Sequence, residues 1–207
     1  MKTAAKYDIM PTEDILEKTA EALKKNGMNA IILQNAAEAK QKILELIPKG
    51  AEIMTMTSVT ADALGITNEI NESGNYNSVR NKLMSMDRNK QNVEMKRLGS
   101  SPEWTIGSVH AITQDGHVLI ASNTGSQLPA YAYGSKKVIW VVGAQKIAKN
   151  FDDGIKRVYD YTLPLESERA RKAYGVVGSA VNKLLVVNNE VDPERITIMI
   201  IKEKLGF

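Results

Sequence analysis

Ala30-Ile31-Ile32-Leu33, then Asn35-Ala36-Ala37-Glu38, then Ala51-Glu52-Ile53-Met54-Thr55-Met56-Thr57 are the three stretches that decide the fold. The first is a short continuous apolar run, which reads as a strand buried on both faces. In the second, Asn35 followed three residues later by Glu38 is a helix start of capping-box type. The helix it opens runs to about Leu46, where Pro48 and Gly50 end it. The third is another strand. Strand, helix and strand in this rhythm predict parallel pairing in an α/β sheet, because a parallel crossover needs a helix-length connection.

Upstream, Thr12 caps a helix with Glu13 and Asp14 at its positive end, Lys24 and Lys25 at its negative end, and Gly27 as its stop. Ile15, Leu16, Thr19, Ala22 and Leu23 fall at helical spacing and form its inner face. Downstream, Ser58-Val59-Thr60 opens a short helical turn that closes near Gly65. Residues 68–77 are polar and read as a loop or a break into a subdomain, and 78–98 as helix. Residues 66–100 are therefore expected as an inserted segment within one domain spanning 1–207. Residues 105–113 and 117–122 read as strands around Gln114-Asp115-Gly116, whose Asp-Gly pair signals a hairpin. Val138 to Val142 is a buried strand, and 151–160 and 167–174 are helices. The closing strands are 184–187 and 196–202. The expected architecture is α/β, a three-layer α/β/α sandwich with a mixed, mostly parallel sheet.

The chain has 207 residues, 43% hydrophobic and 25% charged, which suits one soluble globular domain. With 27 Lys and Arg against 24 Asp and Glu, and no dense basic block, neither nucleic-acid binding nor a polybasic membrane role is expected. It contains no cysteine, which removes disulfides, thiolate chemistry and cysteine-held clusters from this chain. No signal peptide is visible and the apolar runs are too short to insert in a bilayer, so a cytoplasmic protein is expected.

No nicotinamide fingerprint, P-loop, zinc-protease helix or serine elbow occurs. His110 and His117 sit on opposite arms of the hairpin. With a two-residue Asp115-Gly116 turn they lie on one face but roughly 13 Å apart along the ladder, too far to share a metal. They read as ordinary strand residues, and no metal or cofactor is expected. What stands out is glycine and small hydroxyl usage at strand ends: Ser58 and Thr60, Gly107 and Ser108, Ser122-Asn123-Thr124-Gly125-Ser126, and Lys146 shortly after Gly143. In open α/β sheets ligands bind at the carboxyl ends of strands, where such residues let the backbone approach an anion. They also cap helices everywhere. These ten residues are the candidate ligand-binding set. In it Thr124 and Ser126 would hold a carboxylate or phosphate and Lys146 would supply charge.

Trp104 to Thr113, Gly116, Ala121 to Pro129 and Val138 to Ile147 together resemble the centre of LUD-domain proteins of the lactate-utilisation protein C type. Pro48 to Ala51 leading to Ser58, Thr60 and Leu64-Gly65, with Pro164 to Ala170 and Leu205-Gly206-Phe207, extend the likeness over most of the chain from about Asp14. The resemblance implies a NagB/RpiA/CoA-transferase-like fold. It also implies a place in bacterial L-lactate oxidation beside an iron–sulfur partner. An accessory or small-anion-binding component is the reading it favours. The alternative is a stand-alone enzyme of sugar-phosphate isomerase or CoA-transferase type, although no glutamate stands beside glycines as a transferase nucleophile would. Tyr131, Tyr133, Tyr159 and Tyr161 lie next to charged residues, a composition found at interfaces, so homo-oligomerisation or docking to a partner is expected.

Without a nicotinamide fingerprint or a cysteine-held cluster, the chain alone has nowhere to put electrons. Lactate-dependent dye reduction by the pure, cofactor-free protein is therefore expected to be absent.

Overall fold

A computed structural model describes residues 6–207. Helix α1 (Glu13–Lys25) begins where Thr12 Oγ1 accepts from the Ile15 N–H, and it buries Leu16, Thr19, Ala20 and Leu23. Strand β1 (Asn29–Leu33) follows, then α2 (Ala36–Leu46), whose first turn is held by the Glu38 N–H donating to Asn35 Oδ1 at 2.9 Å. Strand β2 (Glu52–Thr55) leads into two short helices, α3 (Val59–Ala63) and α4 (Ile66–Glu72). Edge strand β3 (Asn77–Ser78), α5 (Val79–Ser85) and α6 (Asn92–Ser100) come next, followed by β4 (Trp104–Gly107), β5 (Ala111–Thr113) and β6 (Val118–Ser122). The rest comprises β7 (Lys137–Gly143), β8 (Ile147–Ala148), α7 (Phe151–Arg157), α8 (Leu163–Tyr174), β9 (Lys183–Val187) and β10 (Ile196–Ile201).

Six strands form the main sheet in the order β1-β10-β7-β4-β2-β3, and every neighbouring pair is parallel. Its strands alternate strictly between two cores, as the period of two demands. Val138, Trp140, Val142, Ile198 and Ile200 face one side. Ile139, Val141, Met199 and Ile201 face the other, with Ala39, Ile43, Ile66 and Ile70 of the covering helices. The first side is covered by α1 and by a second sheet, β8-β5-β6-β9, whose Ile112, Val118 and Ile120 point into the same core. This is the expected α/β layering around a mostly parallel sheet, with the antiparallel strands gathered into the second sheet.

Several local expectations change. The strand read over 105–113 breaks at Ser108-Val109-His110, because β4 belongs to the main sheet and β5 to the second; those three residues are the crossover. The hairpin loop has three residues, Gln114 to Gly116, with Gly116 at φ +84°. Such a loop needs glycine at its left-handed position. It pairs Ala111 with Leu119 and Ile112 with Val118, one residue off the register of a two-residue turn. Residues 66–100 supply an edge strand to the main sheet, and 78–98 divide into two helices. The two helices read over 151–174 form one helical run with a π-helical segment at Val158–Thr162.

Ile198 is fully buried between Ala30 and Trp140 on the neighbouring strands. Ile198→Ala is expected to lower stability by about 2–5 kcal/mol in urea unfolding. A loss under about 1 kcal/mol would contradict its place at the centre of the core.

Candidate functional site

Four adjacent parallel strands, β10, β7, β4 and β2, end at one place. After β7, Gly143 turns into the 3-10 turn Ala144–Lys146, which aims the Lys146 side chain back across the strand ends. Lys146 Nζ lies 3.0 Å from Thr60 Oγ1, 3.1 Å from Ser108 Oγ and 3.2 Å from the Val109 carbonyl. Thr60 is in α3, just past β2; Ser108 and Val109 follow β4. The segment after β10 closes over them. Thr60 Oγ1 donates to the Leu205 carbonyl at 3.2 Å, Gln145 Nε2 donates to the Leu205 and Gly206 carbonyls, and the Gly206 Cα packs directly on Thr60.

Lys146 is 2% exposed. Burial pushes its ammonium well below the ordinary lysine range, and the nearby Arg157 guanidinium adds to that. Arg157 itself is 1% exposed, and burial lowers it to about 10. It bonds the His110 carbonyl through Nη1, donates to Thr162 Oγ1 at 3.0 Å, and stacks 5.1 Å from the Tyr161 ring centroid. Its Nε and Nη2 are buried and have no partner among the described residues. The third buried cation, Arg195, shows the ordinary arrangement: its Nε donates to Glu190 at 2.8 Å. Among the described residues no carboxylate lies within ion-pair distance of Lys146 or Arg157.

His110 completes the crossover. Its Nδ1 accepts the Ala121 N–H at 3.1 Å, so a neutral ring carries its proton on Nε2, which has no protein partner among the described residues. Burial, and then Lys146 and Arg157, push this imidazole down to about 3. His117 sits apart, with Nε2 3.4 Å from Asp115 Oδ2.

The ten sequence candidates thus divide. Thr60, Ser108 and Lys146 come together. Gly107 adjoins them and leaves room for the Tyr131 hydroxyl, where a Cβ would collide. Ser58 caps α3 by accepting the Ala61 N–H at 3.2 Å. The Ser122–Ser126 loop is bonded largely to itself. Ser122 Oγ accepts the Gly125 N–H at 2.8 Å and donates to Gln127 Oε1, Thr124 Oγ1 accepts the Ser126 N–H, and Asn123 is held by Asn182. Gly125, at φ +87°, serves that turn. Of the four tyrosines, Tyr131 is core, edge-on to Trp140, whereas Tyr133 and Tyr159 are exposed. Sequence reasoning did not pick out Arg157. Its signal was position: it falls one helical turn after buried Gly154 and beside buried Val158, on the inner stripe of α7. A surface groove lined by Met28, Trp104, Lys137 and Arg195 lies at the opposite, amino ends of the strands.

The family model of the LUD domain matches residues 16–201. No curated protein matches the chain. Among solved structures, a DUF162 family protein from Deinococcus radiodurans is similar over 92% of this chain and 99% of its own. The TM-score is 0.57 at 12% identity, a likeness of fold.

His110 is expected to stay neutral from pH 8 to pH 5, read from its imidazole nitrogen shifts. Its folded value of about 3 lies below the unfolded value of about 6.5. Between those values the unfolded chain binds the extra proton, so this residue's contribution to stability falls as pH drops through that window. A His110 titration near pH 6.5 would contradict the buried, cation-flanked ring.

Proposed function

The chain belongs to the LUD-domain family, and we propose that it is the small-anion-binding component of L-lactate or related 2-hydroxy acid utilisation, acting with an iron–sulfur partner. Family membership supports the place in 2-hydroxy acid metabolism; fold likeness by itself would not carry a function. The observation that carries the anion reading is the pair of buried basic side chains, the Arg157 guanidinium and the Lys146 amine, with no carboxylate against them among the described residues. Burying an unpaired charge is costly, and a bound carboxylate would supply the missing partner.

Ser108 and His110, mostly buried but not sealed, give the anion an approach. In this reading the Ser108 hydroxyl and His110 Nε2–H donate to the carboxylate, while Lys146, protonated on binding, and Arg157 provide charge behind them. The absence of a glutamate in hydrogen-bond contact with Lys146 counts against a transferase-type carboxylate nucleophile at this site.

Because Lys146 is held below its ordinary range when no anion is bound, and an anion would raise it, binding takes up a proton at pH values between the two. Affinity therefore falls as pH rises through that interval. Titration calorimetry with L-lactate in buffers of different ionisation enthalpy is expected to show net proton uptake. Lys146→Met is expected to weaken binding by about 1.5–3 kcal/mol, the scale of a charge-assisted hydrogen bond. Binding that is unaltered in Lys146→Met, or that has no proton linkage, would overturn this reading.

A further inference from the structure

In the neutral form of Lys146, which burial favours, the hydrogen-bond valences around Nζ set where its lone pair points. A neutral amine has two N–H donors and one lone pair, and Nζ has three oxygen neighbours. The Val109 carbonyl can only accept, so it takes one N–H. Thr60 Oγ1 spends its own proton on the Leu205 carbonyl, so it takes the second. The lone pair is then left for Ser108, whose Oγ lies 3.1 Å away and whose O–H can turn to donate to it. The alternative acceptor for that proton, the Val109 carbonyl, is farther away at 3.4 Å. Ser108 is only partly buried while Lys146 is sealed behind it, the layout of a reachable hydroxyl with a buried base.

We propose that Ser108 and Lys146 form a nucleophile–base pair that cleaves an ester or thioester of a small carboxylic acid. The inference rests on the carboxylate reading above only for the identity of the acyl group, since the acid released is what the site would hold. In the first step the Ser108 Oγ–H proton passes to Lys146 Nζ as Oγ bonds to the acyl carbon. The carbonyl electron pair moves onto oxygen, where the neutral Nε2–H of His110 can donate to it. Collapse expels the alcohol or thiol, which leaves with the proton from Lys146. Water then attacks the acyl-serine by the same route, giving the acid and restoring Ser108. Thr60 is a positioning residue: by donating to Leu205 it keeps its own proton away from the amine. The lowered ionisation of Lys146 supports the neutral amine this scheme needs at rest.

The full chain is treated with a small fluorophosphonate, and the adduct is located by peptide mass spectrometry. Hydrolysis of p-nitrophenyl acetate and of a simple acetyl thioester is followed in parallel, and the faster of the two identifies the leaving group. The expected result is a single adduct on Ser108. Its formation should slow as pH falls through the lowered range of Lys146, and Ser108→Ala, with an unchanged melting temperature, should lose at least ten-fold in hydrolysis. Thr60→Val, which removes one acceptor of the ammonium, should slow labelling and shift the pH profile downward. No adduct on the wild type, an adduct elsewhere, or hydrolysis unchanged in Ser108→Ala overturns the proposal. Calorimetric binding of lactate without labelling overturns the dyad alone, and labelling without lactate binding overturns the anion reading alone.

Discussion

A lysine amine at the centre of a folded domain has to be reconciled with its surroundings, since the desolvation of an ammonium costs several kcal/mol and must be met by a counter-charge, by hydrogen bonds, or by loss of the proton. Lys146 meets it with hydrogen bonds and a lowered proton affinity, and Arg157 next to it prevents any gain from nearby charge. The chain provides carboxylates for several of its other cations: Lys204 with Asp8, Lys202 with Glu13, Arg195 with Glu190. Around Lys146 it provides hydroxyls and a carbonyl. Two neutral hydroxyls can accept or donate, so the arrangement tolerates either protonation state of the amine, which a carboxylate would not.

The rest of the fold serves that placement. Parallel pairing of β10, β7, β4 and β2 brings four chain segments to the same edge with the same polarity, so that Leu205, Lys146, Ser108 and Thr60 converge although they lie far apart in sequence. The second sheet matters equally. Because β4 and β5 belong to different sheets, the backbone must leave one and enter the other within Ser108-Val109-His110. That short crossover leaves Ser108 and His110 partly accessible on either side of buried Val109. Gly107 lets the Tyr131 ring pack beneath it, and the T-shaped contact of Tyr131 with Trp140, ring centroids 5.4 Å apart, ties the crossover to the core.

The layers were legible in the sequence because they rest on local signals. Caps at Thr12 and Asn35, the apolar runs at 30–33 and 138–142, and the glycines that end helices act within a few residues, and the observed elements match them. Thr60, Ser108 and Lys146 were legible as strand-end residues because an α/β sheet gathers such positions at one edge. The division into two sheets was not, since a continuous run such as 104–113 carries no mark of the point where its partners change. The Ser122–Ser126 loop misled for a related reason. Five small polar residues look the same whether their hydroxyls face a ligand or, as Ser122 and Thr124 do, the loop's own N–H groups. Arg157 was hidden because a charged residue on a short helix reads as solvent-facing, and only tertiary packing reveals that its position lies on the buried stripe.

The two proposed roles of the site are alternative states of one proton. With Lys146 neutral, its lone pair draws the Ser108 O–H inward, and the hydroxyl is primed as a nucleophile but cannot donate to a ligand. With Lys146 protonated, all three of its N–H groups are taken by Thr60, Ser108 and Val109, which releases the Ser108 proton to point outward at an anion. A neutral acyl compound would therefore meet the first state and the carboxylate formed from it the second. Release of the acid would return the proton to solvent and reset the amine. The segment over Thr60 is part of the same logic. If the Leu205 carbonyl did not accept the Thr60 proton, that hydroxyl could turn its O–H toward Nζ and compete with Ser108 for the lone pair. The contact of Gly206 with Thr60, where no side chain fits, keeps that carbonyl in place and so links the end of β10 to the direction of a single hydrogen bond at Ser108.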